Sequence, residues 1–234
     1  MILSAGLGTR LRPLTDKMPK ALVPYQGIPL LERQFTALKA AGFDEFVVNV
    51  HHFASQVEDF LREKDNFGCK VVVSDERDLL RETGGALRHA AKLLEDAPGG
   101  HFLVHNVDII TDLDYSKLTA SQDAIATLAV SSRKTSRYLL FDEGMCLKGW
   151  TNVSTGEVRS PLGNIDPSKY RALAFSGISA VSVKALPLMA QWPEKFSIID
   201  FYLSICDRYP VKGLDVTGTS IADVGKIQDI PNQC

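Results

Sequence analysis

Four short β-prone runs alternate with stretches of helical period across the first 107 residues, and this alternation narrows the fold more than any other feature. The runs are Met1-Ile2-Leu3, Glu45–Val50, Cys69–Val73 and Phe102–Val107. Between them, Leu30, Leu31, Phe35, Leu38 and Ala41 recur at helical spacing from about Pro29, and Gly42 closes that run as a C-cap. Ser55 and Glu58 are spaced as a capping box for a helix through Leu61, and the segment after Thr83-Gly84-Gly85 reads as a helix through Leu94. Strand and helix in strict succession bury their apolar faces best as a parallel sheet with right-handed crossovers. Three residues make a short first strand, so the natural chain is expected to begin a few residues earlier.

Beyond Asp108 the pattern loosens. Ala124–Val130 reads as a strand, Tyr138–Phe141 and Met145–Gly149 as a hairpin around Glu143-Gly144, and Ala172–Val183 as a long strand. Ser197 with Asp200 opens a helix through Asp207, and Thr217–Ala222 is a strand delivering Asp223. This half is expected to be mixed or antiparallel. No repeat, low-complexity tract or linker interrupts the chain, so one domain is expected over residues 1–234.

Composition excludes several classes of function. A formal net charge of -2 provides no basic excess for nucleic acid or an acidic membrane, so any basic site must be local. Cys69, Cys146, Cys206 and Cys234 have no paired spacing, which implies free thiols in a reducing cytoplasm rather than a disulfide framework or a zinc site. No apolar run reaches the length of a membrane span.

The stretch from Ile2 to Pro24, ILSAGLGTRLRPLTDKMPKALVP, carries the chemistry. Ile2-Leu3 run into Ser4-Ala5-Gly6-Leu7-Gly8-Thr9, small residues whose backbone N–H groups can approach an anion with no Cβ in the way. Arg10, Arg12 and Lys20 follow, the last beyond a Pro13–Pro19 segment that cannot be a continuous helix. Leu11 stands where the dinucleotide fingerprint needs its third glycine, and the G-K-[ST] ending of a P-loop is missing. The whole string instead resembles the signature of the sugar-1-phosphate nucleotidyltransferases, or nucleotide-sugar pyrophosphorylases: G-x-G-[ST]-R-[LM]-x-P-L-T, then P-K-x-L-[VL]-P. In length, in Leu80-Arg81-Glu82-Thr83-Gly84-Gly85 and in Phe175-Ser176-Gly177-Ile178, it is most similar to the small N-acetylmuramate 1-phosphate uridylyltransferases.

The resemblance implies an α/β, Rossmann-like fold with a mixed, mostly parallel sheet flanked by helices, a nucleotide-binding half over 1–115 and a smaller β-rich sugar-binding half over 116–234. It implies transfer of a nucleotidyl group from a nucleoside triphosphate, UTP by the E-T-G-G turn, to a sugar 1-phosphate. By the same resemblance Ala5, Gly6, Gly8, Thr9, Glu82, Thr83, Gly84, Gly85 and Asn106 bind nucleotide, and Ser176 and Gly177 bind sugar, with Asn152 added as a polar candidate for a sugar hydroxyl. Arg10 takes the departing phosphates and Lys20 the point where the two substrates' phosphates meet; Asp108 and Asp223 hold Mg²⁺, which favours one or two carboxylates completed by water and phosphate. Val107 and Lys226 depart from the family's usual small residue and Thr, and the E-K pair of the larger thymidylyltransferases is missing between Arg159 and Phe175.

Several residues have quieter alternatives. Either aspartate alone is also a common strand-end hydrogen-bond acceptor. Asn49 and Asn152 are candidates for sugar hydroxyls or for turn hydrogen bonds. His51-His52 point apart with no third ligand and read as surface; Arg133, Lys134 and Arg137 read as a solvated basic loop that would draw phosphates. Two other functions fit parts of the pattern: a phosphocholine cytidylyltransferase, with Trp150 and Tyr138 as the aromatic cage, and a catalytically silent nucleotide sensor. No nucleic-acid or membrane partner is expected, no acyltransferase fusion, and the protein is expected to be a monomer or a small homo-oligomer.

Overall fold

The computed structural model describes residues 1–119 and 123–225; Lys226 and Cys234 lie outside the described residues. Ten strands form one sheet: β1 (Ile2–Leu3), β2 (Glu45–Val50), β3 (Lys70–Asp75), β4 (His101–Asn106), β5 (Ala126–Ser131), β6 (Arg137–Phe141), β7 (Leu147–Asn152), β8 (Glu157–Arg159), β9 (Arg171–Ser182) and β10 (Val211–Asp215). Their order is β8-β7-β6-β9-β4-β1-β2-β3, with β5 and β10 branching from β9. The strands β4, β1, β2 and β3 are parallel, as the alternation requires, whereas β9 runs antiparallel to β4, β5 and β6. The parallel strands of the first half and the antiparallel character of the second are both as expected.

Helices α1 (Leu30–Ala40) and α2 (Ala54–Glu63) cover one face of the parallel strands, and α3 (Glu82–His89) and α4 (Ile198–Ile205) the other. The two-residue period of the strands feeds both cores: Phe46, Val48 and Val50 pack with Phe35 and Val57, while Val47 joins Leu87, Val104 and Tyr202. Phe35 and Leu87 are fully buried, each burial stabilising by about 2–3 kcal/mol.

Local details correct parts of the sequence reading. No capping box opens α2: Phe53 sits at φ 54 in the left-handed region, the helix begins at Ala54, and no side chain caps it. The chain enters by turning sharply at Phe53, which puts Ser55 inside the first turn. The helix through Leu94 is two pieces, since α3 contains Thr83-Gly84-Gly85 and a separate turn spans Ala91–Leu94. The late strand is Ile221–Asp223, paired with Ile109–Thr111 in a two-stranded ribbon. Ser197 does cap α4, its side chain accepting from the Ile199 N–H at 3.3 Å. β9 spans both halves: Ile178–Ser182 pair with β4, Arg171–Leu173 with β6, and the register against β5 shifts between Phe175 and Ser179. Among the described residues no helix is long and apolar enough to cross a membrane.

Candidate active site

β1 lies between two parallel neighbours, Ile2 beside Val48 and His105, Leu3 beside Asn49 and Asn106, so the loop that follows leaves from the carboxyl edge of the sheet. Asn49, only 3% exposed, fixes that exit. Its Oδ1 accepts from the Ser4 N–H at 2.7 Å and the Ala5 N–H at 3.3 Å, and Ser4 Oγ donates to its carbonyl. Asn49 is thus a brace for the glycine loop rather than a group free for sugar hydroxyls.

The two loop glycines have different reasons. Gly8 is left-handed at φ 62, and a Cβ there would lie 2.8 Å from Thr15 Cγ2 and 3.0 Å from Lys20 Cβ. Its carbonyl accepts from the Leu11 N–H and from Thr15 Oγ1, each at 2.8 Å. At Gly6 a Cβ would meet no atom of the described residues beyond its chain neighbours within 4 Å, and the residue lines an open cleft.

The carboxylates come together through the ribbon. Asp223 pairs with Ile109, and the Val224 N–H donates to Asp108 O at 3.0 Å. A Cβ on Gly225 would stand 2.8 Å from each of Arg10 Nη2, Asp108 Oδ2 and Asp223 Oδ1, so three charged groups from distant segments crowd one point and the two carboxylate oxygens lie within twice that distance of each other. Lys20 Nζ is ion-paired directly to Asp108 Oδ2, with both side chains largely covered. The Gly225 N–H donates to Asp223 Oδ1 at 3.0 Å. Among the described residues no three His, Cys, Asp or Glu form a metal cage. Two carboxylates meeting where Gly225 has no side chain instead suit a hard divalent ion that takes its remaining ligands from water and phosphate.

These groups line a cleft of about 250 Å³ together with Ala5, Gly6, Asn106, Glu82 and Thr83. Gly8 and Thr9 shape the loop without lining it. Gly84 and Gly85 lie beneath: both N–H groups donate to Phe196 O, at 2.9 and 3.2 Å, and a Cβ on either would overlap the Phe196 ring or the Glu194 carbonyl. Thr83 Oγ1 accepts from the Ile198 N–H at 3.0 Å, locking α3 to the start of α4.

Glu76 also lines the cleft, and the sequence reading missed it. Its side chain is fully buried; Oε1 accepts from Asn49 Nδ2 at 3.0 Å, and Oε2 has no partner among the described residues. Burial pushes its pKa above the ordinary glutamate value, against the opposing Asn49 hydrogen bond. In sequence it sits in a charged Ser74-Asp75-Glu76-Arg77-Asp78 run that resembles a solvated loop. His51 is half-buried rather than simply surface, its Nδ1 2.6 Å from Glu76 O.

The cleft continues toward the second half. A narrower section of about 180 Å³ shares Leu3, Thr83 and Asn106 with the first and adds Gly177, and a section of about 540 Å³ shares Phe175 and Ile199 with the second. Gly177 sits at φ 77, and a Cβ there would be 2.8 Å from Asn106 Nδ2, so the bulge in β9 is what lets Asn106 reach across. Asn152 lines the largest section; Ser176 is buried, its hydroxyl without a partner among the described residues.

A family model described as nucleotidyl transferase matches residues 1–138. The chain belongs to the nucleotidyl transferase family. This nucleotidyl transferase is 46% identical over 112 residues to the N-acetylmuramate alpha-1-phosphate uridylyltransferase of Caulobacter vibrioides, a match covering 47% of this chain and 45% of that one. It is 41% identical over 116 residues to the protein of the same description from Neisseria meningitidis serogroup B, covering 50% and 49%. The matched stretch thus spans about half the length of these curated relatives. Among solved structures, HddC from Yersinia pseudotuberculosis complexed with GMP-PN superposes with a TM-score of 0.73 at 24% identity over 97% of this nucleotidyl transferase and 94% of that chain. The inositol-1-phosphate CTP transferase from T. maritima gives 0.76 at 17% identity over 98% and 90%. At these identities the likeness is one of fold, and it extends over both halves.

Proposed function

We propose that the chain transfers a nucleotidyl group, in the first instance uridylyl from UTP, to a sugar 1-phosphate in the cytoplasm. The observation that carries this reading is the convergence of Arg10, Lys20, Asp108 and Asp223 beside a glycine loop braced by Asn49. An oxygen of the sugar phosphate attacks the α-phosphorus in line; the bond from that phosphorus to the bridging oxygen breaks, and pyrophosphate leaves with the electron pair. The loop N–H groups and the Arg10 fork hold the departing β- and γ-phosphates, and Lys20 supplies a compact charge where the two phosphates meet. Positioning and charge neutralisation do the work, since no side chain bonds to phosphorus. Asp108 and Asp223 would hold Mg²⁺, which when bound neutralises charge building on the phosphoryl oxygens.

Glu76 supports a uracil donor, because a buried carboxylate oxygen without a partner calls for an N–H, and the imide N–H of uracil supplies one. The names of the two bacterial relatives make N-acetylmuramate α-1-phosphate the first acceptor to test. The phosphocholine alternative needs an open aromatic face, and Arg159 already stacks over Trp150 at 4.3 Å. A silent sensor has no need of four charged groups gathered at one phosphate loop.

The test is pyrophosphate release by the purified chain with Mg²⁺, crossing four nucleoside triphosphates with several sugar 1-phosphates. Turnover with UTP and a sugar 1-phosphate, abolished by EDTA and restored by Mg²⁺, is expected. Release of pyrophosphate from CTP with phosphocholine, or from no pair, would overturn the reading.

A further inference from the structure

Two helices from opposite halves exchange their caps. The first N–H groups of any helix lack an intrahelical acceptor, and among the described residues no side chain caps α3 locally. Its Gly84 and Gly85 N–H groups donate instead to Phe196 O, two residues before α4 begins. In return Thr83 Oγ1, in the first turn of α3, accepts from the N–H of Ile198, the first residue of α4, at 3.0 Å. Ser197 Oγ takes the next donor, the Ile199 N–H, at 3.3 Å, and the Phe196 N–H closes the exchange on Arg81 O at 3.2 Å.

The first turn of α4 is a wall of the cleft. Ser197, Ile199 and Asp200 line the section of about 540 Å³, and Ile198 and Ile199 the narrower one of about 180 Å³. Asp200 Oδ1 receives Arg159 Nη1 at 2.8 Å, and the Arg159 guanidinium lies over Trp150, both of them lining the larger section. Thr83 lines the phosphate end and the narrower section but not the larger one. One hydroxyl beside the phosphate loop thus fixes a wall that stands elsewhere, through a contiguous run of hydrogen bonds. A shift at the start of α4 would carry Ser197, Ile199 and Asp200 together, and Arg159 with them.

We infer that Thr83 is a positioning residue for the acceptor: its hydroxyl holds the first turn of α4, and with it one wall of the section that receives the sugar. A helix-capping hydroxyl is worth about 1 kcal/mol to the element it caps. Here that element belongs to the other half of the chain, so the effect falls on the acceptor rather than on the nucleotide that Thr83 stands beside. The inference rests on the proposed transfer to a sugar 1-phosphate, and it gives the Thr83 side chain a different task from the nucleotide contact that the family resemblance implies.

The experiment measures KM and kcat for UTP and for the best acceptor of the pyrophosphate screen, N-acetylmuramate α-1-phosphate in the first instance, with Mg²⁺ in wild type, T83V and T83S. Valine keeps the shape and removes the oxygen that Ile198 needs; serine keeps the oxygen. T83V is expected to raise KM for the sugar phosphate about tenfold while KM for UTP stays within about threefold of wild type, and T83S to restore the sugar's KM. A rise in KM for UTP with the sugar's unchanged, equal losses on both substrates, or no rescue by T83S would overturn the inference. Amide hydrogen exchange over residues 197–200 supplies a readout free of turnover, expected to be faster in T83V and as in wild type in T83S. If no sugar 1-phosphate is turned over with any nucleotide, the proposed transfer fails on its own. Exchange then decides whether Thr83 holds α4: faster exchange in T83V alone sustains it, and equal rates in the three proteins refute it.

Discussion

Asn49 donates to Glu76 at 3.0 Å while accepting from the Ser4 and Ala5 backbone, so one buried amide braces both the loop at one end of the cleft and the carboxyl at the other. Replacing it with alanine removes these bonds and leaves buried N–H groups without a partner. N49A is expected to lose about 2–3 kcal/mol of stability in urea unfolding and at least about tenfold in kcat/KM. Wild-type values on both readouts would show that the loop is held by something else.

Glu76 provides a test of nucleobase choice that is separate from the fold. In E76Q the amide oxygen still accepts from Asn49, but an NH₂ replaces the unpartnered oxygen, so a donor faces the imide N–H of uracil. Turnover with UTP is expected to fall by about tenfold or more, with KM rising more than kcat falls. The raised pKa fixes the sign of the stability effect. The native state binds this proton more tightly than the unfolded chain, so the cost of the buried charge is present above the native pKa and vanishes as pH drops below the ordinary glutamate value. E76Q should therefore gain more stability over wild type at pH 8 than at pH 4.5, as read by paired urea titrations.

Gly225 is confined by charge rather than by backbone geometry. A methyl group there must displace Arg10, Asp108 or Asp223 from 2.8 Å, with no apolar core disturbed. G225A is expected to keep a near wild-type unfolding midpoint and to lose about 100-fold or more in kcat, since misplacing groups that stabilise phosphoryl charge costs several kcal/mol of barrier. Intact turnover in the folded variant would detach the three groups from the reaction.

His105 is expected to give stability an acid-sensitive component. It is fully buried, its Nδ1–H donates to Asn106 O at 2.8 Å, and its Nε2 lies 3.2 Å from Tyr115 Oη. Burial pushes its pKa down to about 4 from 6.5. The unfolded chain binds this proton more readily, so the contribution is complete above about 6.5 and declines as pH falls toward 4, by about 3 kcal/mol at most. Urea midpoints of wild type and H105L across that range should converge as the pH drops; parallel lines would assign the acid sensitivity elsewhere.

The parts of the site legible in the sequence were those where local chemistry and long-range role coincide. Gly8 must be glycine for its own φ, and Asp108 and Asp223 each stand beside the ribbon that joins them. Asn49 and Glu76 were not legible in this way. Asn49 lies in a β-branched run where any polar residue passes for a strand-end hydrogen bonder, and its partners are set by the β1–β2 register. Glu76 sits among charges, and only the fold buries it. Gly84 and Gly85 have a packing reason the sequence does not display: a Cβ on either would overlap the Phe196 ring or the Glu194 carbonyl. The capping box at Ser55 failed because a left-handed Phe53 starts the helix one residue earlier than the side-chain pattern implies.

β9 belongs to both halves, its later residues hydrogen-bonded to the strand that leads into Asp108 and its earlier ones to the strand that begins with Arg137. The spacing between the cleft at Asp108 and the section lined by Arg137 is therefore set by a continuous piece of backbone, not by a hinge. A rebuilt 133–137 segment would thus leave the alignment of Arg10, Lys20, Asp108 and Asp223 as it stands.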